Sequence, residues 1–243
     1  MGEERIDDYE AFLARRREQL LERIAQAARV AGRNPDEVTL LAVSKTVGPE
    51  EVALAWSAGY RSFGENRPQE LTRKLTALAS NPELRGMRFD MIGNLQKNKI
   101  NQVLGNAHLI HSVSSEHLAQ AISKRAEARG IVAPILLEVN VSGEASKSGF
   151  SPDEARVAAE GIAALPGLQV QGVMAMAPAH DADEARRTFS GLRELRDELR
   201  QRTGLALDVL SCGMSDDFQI AVEEGSTLVR LGRTVFDPAY VLA

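Results

Sequence analysis

Short apolar runs recur along the chain, separated by segments in which apolar and charged residues follow helical spacing. Eight of these runs have the length and the branched aliphatic content of buried strands. They lie at residues 39–45, 60–64, 87–92, 108–113, 133–141, 168–176, 206–210 and 227–231. The pattern therefore predicts eight strands.

Helical segments precede and separate these runs, because apolar residues recur three or four positions apart. Leu13, Leu20 and Ile24 place an amphipathic helix over about the first thirty residues, and Gly32 and Pro35 end it. Residues 115–129, 152–164 and 184–202 also have helical spacing.

Strands that alternate with helices form a parallel sheet, and eight such strands close into a barrel of roughly 250 residues. An open doubly wound sheet is the competing layout. It needs a glycine-rich phosphate loop after an early strand, and the sequence has none. No low-complexity linker divides the chain. We therefore expect an α/β protein with a single TIM-like (β/α)8 barrel domain over residues 1–243 and an extra N-terminal helix.

Composition excludes several classes of function. The formal net charge is −5 and aromatic residues make up 5% of the chain, so we expect no nucleic-acid surface. No apolar stretch approaches the ~20 residues that span a bilayer, and the charged N-terminal segment is unlike a signal peptide. The single cysteine, Cys212, excludes an internal disulfide and fits a reducing compartment. We expect a cytoplasmic protein without membrane contact.

The C-terminal ends of the strands supply the site residues in a barrel of this kind. These ends carry one amine and one guanidinium but no cluster of metal ligands, so we expect an anionic organic ligand and no metal. The candidates at the strand ends are Lys45, Glu65, Asn66, Gly93, Asn94, Ser112, Asn140, Met174, Met176, Ser211, Met214, Ser215, Arg230 and Gly232.

Lys45 ends the first apolar run. A lysine that is buried there loses its proton more easily and becomes a nucleophile, and condensation with a carbonyl cofactor is the leading use of such an amine. Alternatively, the side chain extends from the strand end into solvent. The pattern around this residue leaves both interpretations open.

Two turns near the C-terminus suit a phosphate group. Ser215 follows the seventh run and is predicted to be a helix N-cap, where free backbone N–H groups bind anions. Gly232 follows the eighth run and lets a ligand approach the backbone closely. Arg230 lies inside that apolar run, where it serves either a structural ion pair or the ligand site.

Several motifs follow one another in a distinctive order: LLAVSKTV, FGENRPQE, IGNLQKNK, HSVSS, EVNVSGEASKSG, GVMAMAP and GMSDDFQIAVEEGSTLVRLGR. In this order they resemble the pyridoxal 5′-phosphate homeostasis protein family (YggS/PROSC type), from about Leu40 to Phe236. The resemblance implies a monomeric barrel similar to the N-terminal domain of alanine racemase, with pyridoxal phosphate (PLP) as its cofactor.

The resemblance also implies roles for individual residues. Lys45 matches the lysine that holds PLP as a Schiff base, and Asn66 matches an asparagine beside the cofactor ring. Arg230 matches the arginine that faces the pyridine nitrogen. Ser215 and the backbone of Gly232 and Arg233 match the phosphate-binding positions. Met214 completes the set of expected cofactor-binding residues.

Three positions depart from the family pattern. Asp90 stands where the family often has histidine, Cys212 where methionine is usual, and Asp237 where glycine is common. Asp90 adds negative charge, which we expect to lie near the anion site.

Robust catalysis is not expected. An arginine at the pyridine nitrogen disfavours its protonation and weakens the cofactor as an electron sink. A racemase also needs an acid or base on each face of the substrate, and we expect no second domain because the chain ends at Ala243, shortly after the eighth run. We expect a PLP carrier that buffers PLP or delivers it to apoenzymes.

Two other functions remain open. A PLP-dependent racemase-like enzyme requires a second base, for which Tyr60, His111 and His180 are the candidates. A cofactor-free scaffold is the third interpretation.

Overall fold

The computed structural model describes residues 2–144 and 147–242, with side chains described from residue 8 onward. Within these residues, eight parallel strands form a closed barrel in sequence order, and the first strand pairs with the last. The strands are β1 (Thr39–Val43), β2 (Ser62–Glu65), β3 (Arg88–Met91), β4 (Ile110–Val113), β5 (Ala133–Glu138), β6 (Leu168–Met174), β7 (Val209–Ser211) and β8 (Leu228–Leu231).

Helices surround this barrel and connect the strands. They are α1 (Gly2–Val30), α2 (Pro49–Ser57), α3 (Pro68–Leu78), α4 (Ile100–Val103), α5 (Glu116–Ala128), α6 (Pro152–Ala163), α7 (Ala182–Thr203), α8 (Phe218–Glu223) and α9 (Arg233–Phe236). The prediction of a (β/α)8 barrel with an extra N-terminal helix is confirmed. No helix in the described part of the chain combines the length and the apolar character needed to cross a membrane.

Most strands are shorter than the apolar runs that predicted them, because the ends of the runs bend out of the sheet. The fifth run extends to residue 141, but β5 ends at Glu138 and the next residue, Val139, bridges to Phe150 outside the ladder. The seventh run begins at residue 206, but Leu207 has a φ of 45°, which is incompatible with a strand. β7 therefore starts at Val209.

The N-terminal helix packs along the side of the barrel. It contacts α2, α8 and α9, and Leu13, Leu20 and Ile24 are buried as their spacing predicts. Arg16, which is 7% exposed, donates from the same helix to the backbone carbonyls of Thr234 and Tyr240, over 2.9 and 3.0 Å. The helix thereby fixes the segment that follows β8.

The buried parts of the barrel are not wholly apolar. Buried polar side chains on the strands or immediately after them include Ser44, Glu65, Asp90, His111, Ser211 and Arg230. Because burying unpaired polar groups is costly, the partners of these side chains determine what this end of the barrel can do.

Candidate functional site

Lys45 lies on the turn between β1 and α2, at the C-terminal rim of the barrel, and its side chain is exposed. Of the two interpretations that the sequence left open for Lys45, the structure agrees with extension into solvent. β1 ends at Val43, so the chain has already turned outward when it reaches the lysine. An exposed rim amine is nevertheless accessible to a ligand in the barrel mouth.

A different lysine is buried directly beneath this turn. Lys74 on α3 is 0% exposed, and its Nζ donates to the Ser44 carbonyl over 2.6 Å and to Glu65 Oε1. The Ser44 hydroxyl donates to the same carboxylate oxygen over 2.6 Å. This network holds the carbonyl of the peptide bond that joins Ser44 to Lys45. The backbone from which the Lys45 side chain extends is therefore fixed.

The sequence analysis missed Lys74, although a signal was present. Pro68, Leu71 and Lys74 are three positions apart and share the buried face of α3. A cation on the apolar face of an amphipathic helix needs a buried counter-charge. Glu65, at the end of the preceding strand, provides that charge.

Asn66 follows β2 and is half-buried, where the backbone after β3 packs against it. A Cβ built on Gly93 would lie 2.2 Å from the Asn66 carbonyl oxygen, so only glycine permits this approach. The Ser112 hydroxyl donates to the Gly93 carbonyl over 2.6 Å. These contacts tie the ends of β2, β3 and β4 together and fix the position of Asn66.

Arg230 is 5% exposed and donates to three oxygen atoms, none of which belongs to a carboxylate. Its Nη1 lies 2.7 Å from both the carbonyl and the hydroxyl of Ser211, and its Nη2 lies 3.0 Å from the Ala175 carbonyl. No ion pair between this guanidinium and a carboxylate is found among the described residues. The structural ion pair that the sequence left open is therefore absent from this part of the chain.

Two carboxyl groups nevertheless act electrostatically on Arg230. Burial raises the pKa of Glu138, although the Arg230 charge opposes the rise. Burial also raises the pKa of Asp217, against a backbone hydrogen bond from Met214 and the same guanidinium. The mouth of the barrel thus holds a fixed cation and two carboxyl groups whose ionisation is disfavoured.

Ser215 lies in the loop between β7 and α8, but it is not the N-cap that the sequence predicts. Asp217 occupies the N-cap position of α8, and its carboxylate accepts from the Met214 backbone N–H over 2.5 Å. Asp217 directly precedes Phe218, the first residue of α8, although its side chain makes no capping hydrogen bond to the helix. The Ser215 hydroxyl instead lies 3.4 Å from Thr234 Oγ1, beside the turn that follows β8.

Gly232 forms that turn and lies against the end of β1. A Cβ built on it would lie 3.5 Å from both the Cβ and the carbonyl oxygen of Val43, which is an ordinary contact, and its φ is −108°. The packing of the chain itself therefore does not require glycine here. Arg233 is exposed and pairs with Asp216 over 2.7 Å, and Met214 is 36% exposed.

We expected Asp90 to lie near the anion site at the rim. It lies inside the barrel instead. It is 0% exposed and pairs with His111 over 3.1 Å and with Arg88 over 3.2 Å. Burial opposes its ionisation, but His111 and Arg88 outweigh that effect and hold the pKa of Asp90 below its usual value. Its negative charge is therefore compensated inside the barrel and is not added to the rim.

The candidates for a second base do not gather around Lys45. Tyr60 precedes β2, at the opposite end of the barrel, where its hydroxyl donates to the Leu13 carbonyl on α1. His180 is exposed on the loop before α7, and His111 is buried in the barrel interior. The described residues contain no cluster of metal-ligating side chains.

Comparison with known proteins agrees with this geometry. Residues 16–238 match the family "Alanine racemase, N-terminal domain". The pyridoxal phosphate homeostasis protein of Aquifex aeolicus is 41% identical over 218 residues, which cover 89% of this chain and 94% of that protein. The corresponding protein of Pseudomonas aeruginosa is 42% identical over 216 residues, which cover 88% of this chain and 90% of that protein.

A solved structure shows the same fold with a ligand. PipY from Synechococcus elongatus, whose structure contains bound PLP, is 33% identical to this chain with a TM-score of 0.77. The match covers 88% of this chain and 99% of PipY. The resemblance inferred from the sequence motifs is confirmed: the chain belongs to the family of pyridoxal phosphate homeostasis proteins, built on the alanine racemase N-terminal domain.

Proposed function

We propose that this chain binds PLP in the barrel mouth as a Schiff base on Lys45 and serves as a reversible PLP carrier. One observation carries the proposal. The packing of the chain does not require glycine at position 232. Gly232 lies against Val43, which ends β1 and precedes Lys45 by two residues. This arrangement supports an anion site next to an accessible amine on a fixed backbone, as a phosphorylated aldehyde requires.

The donor set supports PLP in particular. Ser215 and the backbone of Gly232 and Arg233 would hold the phosphate, with Met214 beside them. Arg230 would face the pyridine nitrogen, and Asn66 would lie beside the ring. PLP would supply an aldehyde that the Lys45 amine could capture with loss of water, and hydrolysis would release it again.

Arg230 is compatible with a carrier, because it would weaken the cofactor as an electron sink. Its hydrogen bonds to Ser211 and Ala175 keep the guanidinium in place, and a cation there disfavours protonation of the ring nitrogen. None of the three candidates for a second base lies beside Lys45 in the described structure. We propose that residues 1–243 act as one monomeric cytoplasmic domain that hands PLP to apoenzymes without robust catalysis.

Borohydride reduction tests this function. We expect purified protein with PLP to show a visible absorption band, and reduction to link the cofactor to Lys45 in a peptide map. Lys45→Ala should bind PLP only non-covalently, with no label at that peptide. Lys147→Ala is the matched control, because Lys147 also lies on a loop after a strand and should be dispensable for labelling.

Two results would contradict the proposal. Labelling of Lys147 in place of Lys45 would move the site, even if PLP binds. Exchange of the α-proton of an amino acid at an enzymatic rate, followed by NMR in deuterium oxide, would replace the carrier with the racemase-like alternative.

A further inference from the structure

A line of polar side chains crosses the barrel interior and ends at Arg230. Asp90 on β3, His111 on β4 and Ser211 on β7 are each 0% exposed. The His111 ring lies 3.1 Å from Asp90 Oδ2 and 3.0 Å from Ser211 Oγ, and that hydroxyl lies 2.7 Å from Arg230 Nη1. β4 and β7 are not neighbours in the sheet, so this hydrogen-bonded chain crosses the interior.

The chemistry of these groups fixes the donor in each bond. Arg230 can only donate and the ionised Asp90 can only accept, so Ser211 accepts from the guanidinium and a neutral His111 accepts from the Ser211 hydroxyl at Nδ1. His111 then carries its hydrogen on Nε2 and donates it to the Asp90 carboxylate. Burial lowers the pKa of His111 although Asp90 opposes this, which favours the neutral ring. The chain is polarised in one direction, from a cation to an anion.

A gain in folding stability does not account for such a hydrogen-bonded chain, because the cost of burying charged groups offsets much of the gain from pairing them. A role in positioning Arg230 does account for it. Glu138 and Asp217 attract this guanidinium when they are ionised, so its position depends on the hydrogen bonds that hold it. A hydroxyl that donates to an imidazole, itself bound to a carboxylate, is a stronger acceptor than an isolated hydroxyl.

We propose that Asp90, His111 and Ser211 are positioning residues that hold Arg230 toward the cofactor ring. This inference rests on the proposed function, since it explains how Arg230 is oriented within the proposed PLP site.

The first test needs no cofactor. We expect NMR of the 15N-labelled full chain at pH 7 to show His111 as the neutral Nε2–H form, with slow exchange of that hydrogen. A ring protonated on Nδ1, or a charged ring, would overturn the donor order.

The second test measures PLP affinity in variants. We expect Asp90→Asn and Ser211→Ala each to raise the dissociation constant about fivefold, and the double variant to raise it about fivefold as well, because both act through one chain. The absorption band of bound PLP should shift equally in all three. Asp208→Asn, which removes an exposed aspartate paired with Arg200, should leave both quantities unchanged.

Unchanged affinity in both single variants, or multiplying effects in the double variant, would overturn the inference. His111→Gln can still accept from Ser211 and donate to Asp90, so it should bind PLP better than His111→Leu. If Asp90→Asn fails to fold, this pair tests the same chain. A native protein that binds no PLP would instead refute the proposed function, while the NMR result would still decide the donor order.

Discussion

Lys74 shows how a buried charge can fix a neighbouring exposed residue. Its amine is bound by Ser44 and Glu65, and those contacts determine where the backbone places Lys45. The exposed lysine therefore depends on a buried one for its position.

Replacing Lys74 by methionine should lower the free energy of unfolding by about 3–5 kcal/mol, because the Glu65 carboxylate stays buried without its partner. Urea denaturation measures this loss. The double variant Lys74→Met with Glu65→Leu should recover most of it, since no buried charge remains. A single variant as stable as the native protein would show that Glu65 is neutral or hydrated.

At this scale the sequence predicted residue types better than their surroundings. The motif positions of Lys45, Asn66 and Arg230 all lie at one end of the barrel, as expected. The burial of Lys45 was left open, because an apolar run does not show where its strand leaves the sheet. Asp90 also contacts His111, 21 positions away, and Lys74 contacts Ser44, 30 positions away, and the sequence pattern alone does not pair these residues.

Turns after the strands, more than the strands themselves, shape the candidate site. Gly93 follows β3 and Gly232 follows β8 at the same end of the barrel, but the fold needs only the first of them to be glycine. This difference separates a structurally required glycine from the one that we propose to bind the ligand.

Gly93→Ala should lower the free energy of unfolding by about 1–3 kcal/mol, because the added methyl group meets the Asn66 backbone. Gly232→Ala should change stability by less than about 0.5 kcal/mol but weaken PLP binding several-fold. Thermal unfolding and PLP titration of the two variants give the comparison. Gly232→Ala with native PLP affinity would remove Gly232 from the phosphate site.

Element order was predictable because the alternation of apolar runs and amphipathic segments is regular. Element ends were not, since local geometry such as the positive φ of Leu207 ends a strand without a change in hydrophobicity. Short helices such as α4 and α9 are also set by their tertiary contacts and carry little periodic signal.

Across the whole molecule, α1 links the start of the chain to the segment after β8. Arg16 supplies that link through the carbonyls of Thr234 and Tyr240. Tyr240 in turn donates to the Ser215 carbonyl over 3.2 Å. The candidate phosphate loop is thus supported from the N-terminal helix.

Arg16→Leu should lower the free energy of unfolding by about 1–3 kcal/mol, because the buried Thr234 carbonyl loses its donor. PLP affinity should fall with it, as the supported turn loosens. Arg29→Leu on the same helix removes only an exposed pair with Glu22 and should cost less than about 1 kcal/mol. Equal effects of the two substitutions in urea denaturation would contradict this support.

The pairing of β1 with β8 has a consequence for biosynthesis. Thr39 lies opposite Leu228 and Ala42 opposite Leu231. The β1–β8 pair therefore joins residues that are synthesised early in translation to residues that are synthesised late. Lys45 emerges from the ribosome long before Arg230 and Gly232 exist. A nascent chain can therefore expose the amine, but the PLP site that we propose is complete only after the last strand has been synthesised and β1 has paired with β8.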